Sequence, residues 1–211
     1  MKSLTLDRNG LYDGGVQVLA AGLFERYQVL ESRGRRGGVS LPLERLGLSD
    51  TKFTDSGFKY LMQRFEAIYL QNLHGAASFE RLIDLDLSRN SLQDASVRYL
   101  ADILRKFQGF QSLNLAGLSK MANQSGFVEL ARSLRDNHSL QRLDLSKNAL
   151  APGTLAELFG AIQDNFVLCE LRVDVKHKGT LVGPSYTLMS MFQVSLAKEA
   201  VDLFIYHKYI I

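Results

Sequence analysis

Two aspartates, Asp84 and Asp86, come closest in this sequence to a pair of carboxylates that could share acid–base chemistry. They stand two residues apart, so alternation along a strand would place both side chains on one face. A second copy of the same local phrase puts Asp144 in the position of Asp86, and a recurring position indicates scaffold geometry rather than a reaction. Cys169 has no adjacent motif that would make it a nucleophile, and we predict a structural thiol there.

The four histidines do not stand at metal-ligand spacings with one another, with the thiol or with a carboxylate. They are His74, His138, His177 and His207. The phosphate-binding pattern GxxxxGK followed by serine or threonine is also absent from the sequence. We therefore predict no catalytic residue, no metal site, no cofactor and no enzymatic activity of the chain itself.

The composition is that of an ordinary globular protein, with 211 residues of which 46% are hydrophobic and 22% charged. A formal net charge of +3 is too small to indicate nucleic acid as the partner. Because a single cysteine cannot form an intrachain disulfide, we expect a reducing compartment, the cytoplasm, with the nucleus left open. We expect no signal peptide and no membrane span, since no uninterrupted apolar run reaches about 18 residues.

One sequence pattern recurs in the chain and defines the repeats to which the other residues belong. It reads LIDLDLSRNSL from Leu82 and LQRLDLSKNAL from Leu140, with leucines and an asparagine at identical offsets. Weaker copies bracket these two, and together they place six registers. Their central leucines are Leu4, Leu46, Leu85, Leu113, Leu143 and Leu171. The last intervals, of 28 to 30 residues, lie near the long end of the leucine-rich repeat range.

Each unit combines a strand, a turn and a helix. Leu85 and Leu87 alternate with aspartates, which predicts a short strand with one apolar face. Asn90 follows, and its side-chain amide is expected to satisfy backbone groups in the turn. Helical spacing comes next, as in Val97, Leu100 and Leu104.

Neighbouring units must stack to bury these faces, which predicts an α/β solenoid in the form of a horseshoe segment. Parallel strands would line the concave face and helices the convex face. We predict the strands near residues 4–6, 46–48, 84–87, 112–115, 142–145 and 170–173.

At these residues the sequence resembles the ribonuclease-inhibitor-like class of leucine-rich repeat proteins, over roughly residues 4–173. The resemblance implies a curved scaffold that binds protein partners. The class also includes an activator of a small GTPase, so a GTPase-activating or regulatory subunit of a larger complex is an alternative function. In that alternative, an exposed arginine at a strand–turn junction, such as Arg8 or Arg89, would be the first candidate to act at the partner's nucleotide.

The predicted partner-binding surface is the row of side chains that point outward from the strands, because helices cover the opposite face. Its mixed charges suit a complementary protein surface better than a polyanion. The row contains Arg45, Asp84, Asp86, Arg89, Asn114, Arg142, Asp144, Lys147, Arg172 and Asp174. A rival hypothesis is RNA binding through the cluster Arg33, Arg35 and Arg36.

The domain prediction divides the chain into repeats over residues 1–175 and a capping segment over residues 176–211. Irregular stretches interrupt the repeats at 31–40, 65–79 and 118–126. The first is expected to be a solvated loop and the second either an extra helical turn or an exposed insertion. In the third, residues 120–126 are a candidate protruding loop. The apolar C-terminal segment is expected to cover the end of the solenoid core, with an exposed interface as the alternative.

Overall fold

The computed structural model describes residues 2–32, 43–72, 82–118 and 124–174, together with short strands at 176–177, 180–181 and 186–189. In these residues a sheet of six parallel strands runs through the whole repeat region. The strands are β1 (Ser3–Thr5), β2 (Arg45–Gly47), β3 (Asp84–Asp86), β4 (Ser112–Asn114), β5 (Arg142–Asp144) and β6 (Glu170–Val173). Their order in space is their order along the chain, and every adjacent pair is parallel.

The register aligns one leucine from each strand, because Leu4 lies beside Leu46 and the pairing continues through to Leu143 and Leu171. This confirms the predicted repeat registers. The first two strands begin and end one residue earlier than predicted.

A helix follows each of the first five strands. The helices are α1 (Tyr12–Ser32), α2 (Asp55–Asn72), α3 (Asp94–Lys106), α4 (Ser125–Ser133) and α5 (Pro152–Gln163). Strands therefore line the concave face of an α/β solenoid and helices form its convex face, as the sequence predicts.

Apolar side chains from both layers fill the space between them. Leu46, Leu85 and Leu113 are buried from the strand side, and Leu100 and Leu130 are buried from the helix side. These residues belong to one continuous core that extends from Val16 to Val173.

The irregular stretches are only partly described. Helix α1 reaches Ser32, so the stretch at 31–40 begins as helix, and its remainder with Arg33, Arg35 and Arg36 lies outside the described residues. Helix α2 continues to Asn72, which favours the extra helical turn over the insertion for the described part of residues 65–79.

Residues 120–126 are not a loop throughout, because Gly126 is buried inside α4. Its close approach to Asp94 and Val97 of α3 requires glycine, since a Cβ there would lie 2.7 Å from the Asp94 carbonyl oxygen. The prediction of a protruding loop is therefore wrong for its last residues, and residues 119–123 lie outside the described part.

At the C-terminal end, strand β9 (Tyr186–Met189) pairs antiparallel with β6 and so lies along the outer edge of the repeat sheet. Strands β7 (Lys176–His177) and β8 (Thr180–Leu181) pair with each other. Pairing of β9 is compatible with a capping role, and the division of the chain at residue 175 stays a prediction.

Candidate functional site

The outward-facing side chains of the strands form two rows across the concave face. The first strand row comprises Ser3, Arg45, Asp84, Ser112, Arg142 and Glu170. The second strand row comprises Thr5, Gly47, Asp86, Asn114, Asp144 and Arg172. Seven of the ten predicted site residues thus lie together on this face.

Ion pairs connect the first strand row across neighbouring repeats. Arg45 Nε lies 3.3 Å from Asp84 Oδ2. Arg142 passes over Ser112 to place a guanidinium nitrogen 3.5 Å from Asp84 Oδ1. That oxygen is buried and makes no hydrogen bond within the described residues, so Arg142 supplies its countercharge. The two arginine side chains remain 69% and 50% exposed and can still contact a partner.

The acidic and amide side chains of the second strand row make hydrogen bonds to the turns that follow their strands. Each accepts a hydrogen bond from the backbone N–H two residues later, which is the geometry of an Asx turn. The bonds are Ser88 N–H to Asp86 Oδ1 at 2.9 Å, Ala116 N–H to Asn114 Oδ1 at 3.0 Å and Ser146 N–H to Asp144 Oδ1 at 2.9 Å.

Asp144 belongs to the outward-facing row predicted from the sequence, but it is less exposed than Arg142. Its side chain is only 21% exposed. Besides its bond from Ser146, its other oxygen lies 3.8 Å from Arg172, which also pairs with Glu170 at 2.7 Å. The main role of Asp144 is therefore to stabilise the turn, and contact with a partner is a lesser role.

Gly47 stands where the next three repeats carry the Asx-turn side chain, and a neighbour replaces the missing group. Asp7 Oδ1 accepts the backbone N–H of Ser49 at 2.9 Å. A Cβ on Gly47 would lie 2.8 Å from that same oxygen. Glycine is therefore required here so that the carboxylate from the first repeat can reach the turn of the second.

Beyond the strands, the turns form a third row at the rim of the concave face. The rim row comprises Arg8, Asp50, Arg89, Gly117 and Lys147, all with φ between 53° and 62°. The first four donate their backbone N–H to a carbonyl of the next repeat, at 2.8 or 2.9 Å. The acceptors are the carbonyls of Ser49, Ser88, Ala116 and Ser146.

Asp174 ends this ladder. One of its carboxylate oxygens accepts the backbone N–H of Lys147, in the place where earlier repeats offer a carbonyl. The structure therefore gives this predicted binding residue a role in closing the last turn.

The rim row carries three basic side chains that make no close contact with a carboxylate in the part of the chain that the structure describes. Within the described residues, the side chains of Arg8, Arg89 and Lys147 form no ion pair or hydrogen bond. Asp50 differs, because Lys52 Nζ lies 2.5 Å from its carboxylate. That hydrogen bond is the main cause that lowers the pKa of Asp50 below its ordinary value, and the charges of Arg89 and Arg8 contribute further.

Asparagines hold the turns beneath the rim, as the sequence predicts. Asn90 is buried and donates to the carbonyls of Leu48 and Leu87 at 2.7 and 3.0 Å, while its oxygen accepts the N–H of Thr51 at 3.0 Å. Asn148 repeats this pattern two repeats later, and these bonds fix the turns beneath Asp50, Arg89, Gly117 and Lys147.

Sequence reasoning missed several members of these rows. Glu170 and Ser112 share the strand parity of Arg142, and aligning the repeats would have found both. Asp50 and Gly117 were missed because their turns carry Thr51 and Leu118 in place of the expected asparagine.

The remaining chemical candidates do not assemble into a site. Cys169 is exposed, so the prediction of a structural thiol is wrong. Among the described residues, no group of three or more His, Cys, Asp or Glu side chains is placed to hold a metal ion. None of the described helices is both long enough and apolar enough to span a bilayer.

Comparison with known proteins places this geometry among repeat proteins. A family model described as Leucine Rich repeat matches residues 136–153. NACHT, LRR and PYD domains-containing protein 13 of Homo sapiens is 34% identical over 148 residues, which cover 70% of this chain and 12% of the relative. Leucine-rich repeat-containing protein 45 of Gallus gallus is 30% identical over 145 residues, covering 67% and 20%.

Ribonuclease inhibitor of Sus scrofa is 24% identical over 196 residues, which cover 77% of this chain and 43% of that protein. The chain thus spans less than half the length of each of these relatives.

Proposed function

The chain is a leucine-rich repeat protein of the ribonuclease-inhibitor-like class, and from that premise we propose that it is a non-catalytic scaffold that binds a protein partner on its concave face. Leucine-rich repeat proteins generally act in protein–protein interaction. The observation that carries the proposal is the pair of strand rows, an extended rigid surface whose exposed arginines alternate with carboxylates. Such a surface can recognise a partner of complementary charge pattern.

The rigidity of this surface supports binding. Its ion pairs and Asx turns already hold many side chains in place, so a partner would order few groups on association. Its mixed charges favour protein over nucleic acid, because a polyanion would meet Asp84, Asp86 and Glu170 directly.

A bulky substitution at the centre of the face tests the proposal, at the position that Arg142 crosses to reach Asp84. Ser112 lies between Asp84 and Arg142, and no described hydrogen bond uses its side chain. Ser112→Tyr should reduce capture of specific partners from cell extract by about tenfold or more, because a ring in the centre of an interface prevents close packing. Ala156→Tyr places the same ring on an exposed position of α5 and should leave capture unchanged.

Thermal unfolding would first establish that both variants are folded, and calorimetry with a purified partner would then give affinities. Equal capture by Ser112→Tyr and the unsubstituted protein would contradict binding on the concave face.

A further inference from the structure

The strand rows and the rim row differ in the sign of their charge. Among the described residues, the two strand rows carry four carboxylates against three arginines. The rim row carries three cations and one carboxylate, which is paired with Lys52. Asp174 adds a second carboxylate at the end of the rim, where it accepts the backbone N–H of Lys147, so cations remain in excess when Lys52 is included. The concave face is therefore balanced or slightly acidic along the strands and basic along one rim.

The basic side chains of the rim leave a gap at Gly117. A Cβ built on Gly117 would lie 3.6 Å from Lys147 Cβ and 3.7 Å from Arg89 Cγ, so these two side chains flank a position without a side chain of its own. Arg89 and Lys147 are two strands apart, which separates their backbones by about 10 Å. An arginine and a lysine at this separation can bind one carboxylate between them or two successive carboxylates of an extended chain.

The backbone beneath these side chains is fixed before any partner arrives. The N–H groups of Arg89 and Gly117 donate to the next repeat at 2.8 Å, and the N–H of Lys147 donates to Asp174. Ion pairs occupy Arg45, Arg142 and Arg172, whereas Arg89 and Lys147 have none among the described residues. The fixed backbone holds the two side chains at a constant separation, and the absence of a close ion pair in the described part of the chain means that an acidic ligand need not displace another carboxylate.

We propose that the rim row binds an acidic peptide segment of the partner, with a glutamate or aspartate side chain seated over Gly117 between Arg89 and Lys147. This inference rests on the proposed function and names the chemistry of one part of the partner. A peptide fits better than a nucleic acid, because the second strand row places Asp86 and Asp144 next to the rim and would repel a continuous phosphate chain. A protein can present carboxylates to the rim and basic groups to the strands.

The decisive variants are Gly117→Asp and Gly117→Asn. Both residues tolerate a left-handed backbone, and Asp50 already occupies the equivalent position in the second repeat. Asp would place a carboxylate of the protein's own between the two cations, whereas Asn adds nearly the same volume without charge. Lys59→Gln, on the exposed surface of α2, makes the same change in net charge away from the rim.

The probe is a fluorescently labelled peptide with two successive glutamates flanked by neutral residues, titrated at low ionic strength and followed by anisotropy. Gly117→Asp should weaken binding by about tenfold, and Gly117→Asn and Lys59→Gln by less than about threefold. Amide NMR shifts should move at Arg89, Gly117 and Lys147 on addition of the peptide to the unsubstituted protein. Far-ultraviolet circular dichroism would confirm that each variant retains its secondary structure.

Three results would overturn the inference. They are no binding of the peptide, equal weakening by Gly117→Asp and Gly117→Asn, or tighter binding of a single-stranded oligonucleotide of equal charge with the same sensitivity to Gly117→Asp. The proposed function fails separately, when Ser112→Tyr leaves capture of natural partners unchanged. A third pattern would separate the two proposals. If Ser112→Tyr abolishes capture of partners but Gly117→Asp changes neither capture nor peptide binding, the protein binds partners on its concave face and the rim row does not bind an acidic segment.

Discussion

At the scale of single residues, polar side chains in this protein mainly connect one repeat to the next. Asn90 bonds to carbonyls in its own turn and in the preceding repeat, and Thr51 in that repeat bonds back to it. Asn9 is exposed, and in the part of the chain that the structure describes its side chain bonds only within its own turn, to the carbonyls of Leu6 and Asp7. We therefore expect an asparagine in the centre of the sheet to contribute more to the free energy of unfolding than the equivalent asparagine beside β1.

Replacing Asn90 with alanine should lower the free energy of unfolding by about 2–3 kcal/mol, because a buried carbonyl and a buried N–H lose their partners. Asn9→Ala removes an equivalent side chain in the first repeat, where water can replace it, and should cost less than about 1 kcal/mol. Urea denaturation of both variants at neutral pH measures the difference. Equal losses would mean that the bonds between repeats contribute little.

Asp144 offers a second test at this scale, because its carboxylate serves the turn as well as the surface. Asp144→Ala should destabilise the fold by about 1 kcal/mol through loss of the bond from Ser146. Asp144→Asn should be nearly neutral, since Asn114 makes the same bond in the preceding repeat. Thermal melting of the two variants decides this, and a large loss in Asp144→Asn would show that the ion pair with Arg172 dominates instead.

At the scale of elements, the starts of α2, α3 and α4 are each stabilised by an acid from the preceding repeat. Asp13 of α1 accepts the N–H groups of Thr54 and Gly57 at the start of α2. Asp55 of α2 accepts the N–H of Gln93 before α3, and Asp94 of α3 accepts the N–H of Gly126 in α4. The two distances are both 2.8 Å. Each of these helices is therefore capped from its neighbour, which couples local helix formation to stacking.

An ion-pair network adds to this coupling on the convex face. Arg105 of α3 lies 2.8 Å from Glu129 of α4, and Arg132 of α4 lies 2.9 Å from Glu157 of α5. The hydrogen bond from Arg105 is the main cause that holds the pKa of Glu129 below its ordinary value. These side chains remain between 29% and 50% exposed, so salt screens the pairs and we expect the network to contribute little to stability at physiological salt.

Capping by Asp13 should make stability depend on pH. Burial opposes ionisation of this carboxyl, but hydrogen bonds from Thr54 and Gly57 outweigh it, and the pKa in the folded protein is lowered. A carboxyl whose pKa is lower in the folded protein stabilises the fold at pH values above its ordinary pKa, near 3.9. This stabilisation is lost as the pH falls through the pKa of the folded protein.

Asp13→Asn should therefore cost about 1 kcal/mol at pH 7, and the difference from the unsubstituted protein should shrink toward pH 3. Asp136→Asn, at an exposed position, should change stability by less than about 0.5 kcal/mol at either pH. Denaturation curves at both pH values make the measurement. A constant difference between pH 7 and pH 3 would exclude ionised Asp13 as the cause.

At the scale of the whole molecule, the repeat phrase was sufficient to predict the solenoid, because the spacing of Leu85, Leu87 and Asn90 specifies strand and turn together. The outward rows were predictable from strand parity alone. The hydrogen bonds that each outward side chain makes could not be predicted in this way. In the sequence Asp86 and Asp144 resemble free surface carboxylates, but in the folded turn each accepts the backbone N–H of the residue two positions later. The exposed thiol of Cys169 was missed for a similar reason, since apolar neighbours in sequence do not ensure burial.

The stacking of units predicts that stability is distributed unevenly along the solenoid. The sheet joins each repeat to its immediate neighbours, so among the described strands a residue in a central strand supports two interfaces and a residue in β1 supports one. Leu113 in β4 is buried, with β3 on one side and β5 on the other, whereas Leu4 in β1 is partly exposed and has β2 alone beside it. Both occupy the same register position, so each serves as the control for the other.

Leu113→Ala should lower the free energy of unfolding by about 2–5 kcal/mol, because it opens a cavity between two closed interfaces. Leu4→Ala should cost about 1 kcal/mol, since part of that side chain is already in contact with water. Urea denaturation measures both losses, and native-state hydrogen exchange should show faster exchange at Leu6 than at Leu115 in the unsubstituted protein. Equal losses, with uniform exchange along the sheet, would mean that the solenoid unfolds as a single cooperative unit in which the end repeat contributes as much as the central ones.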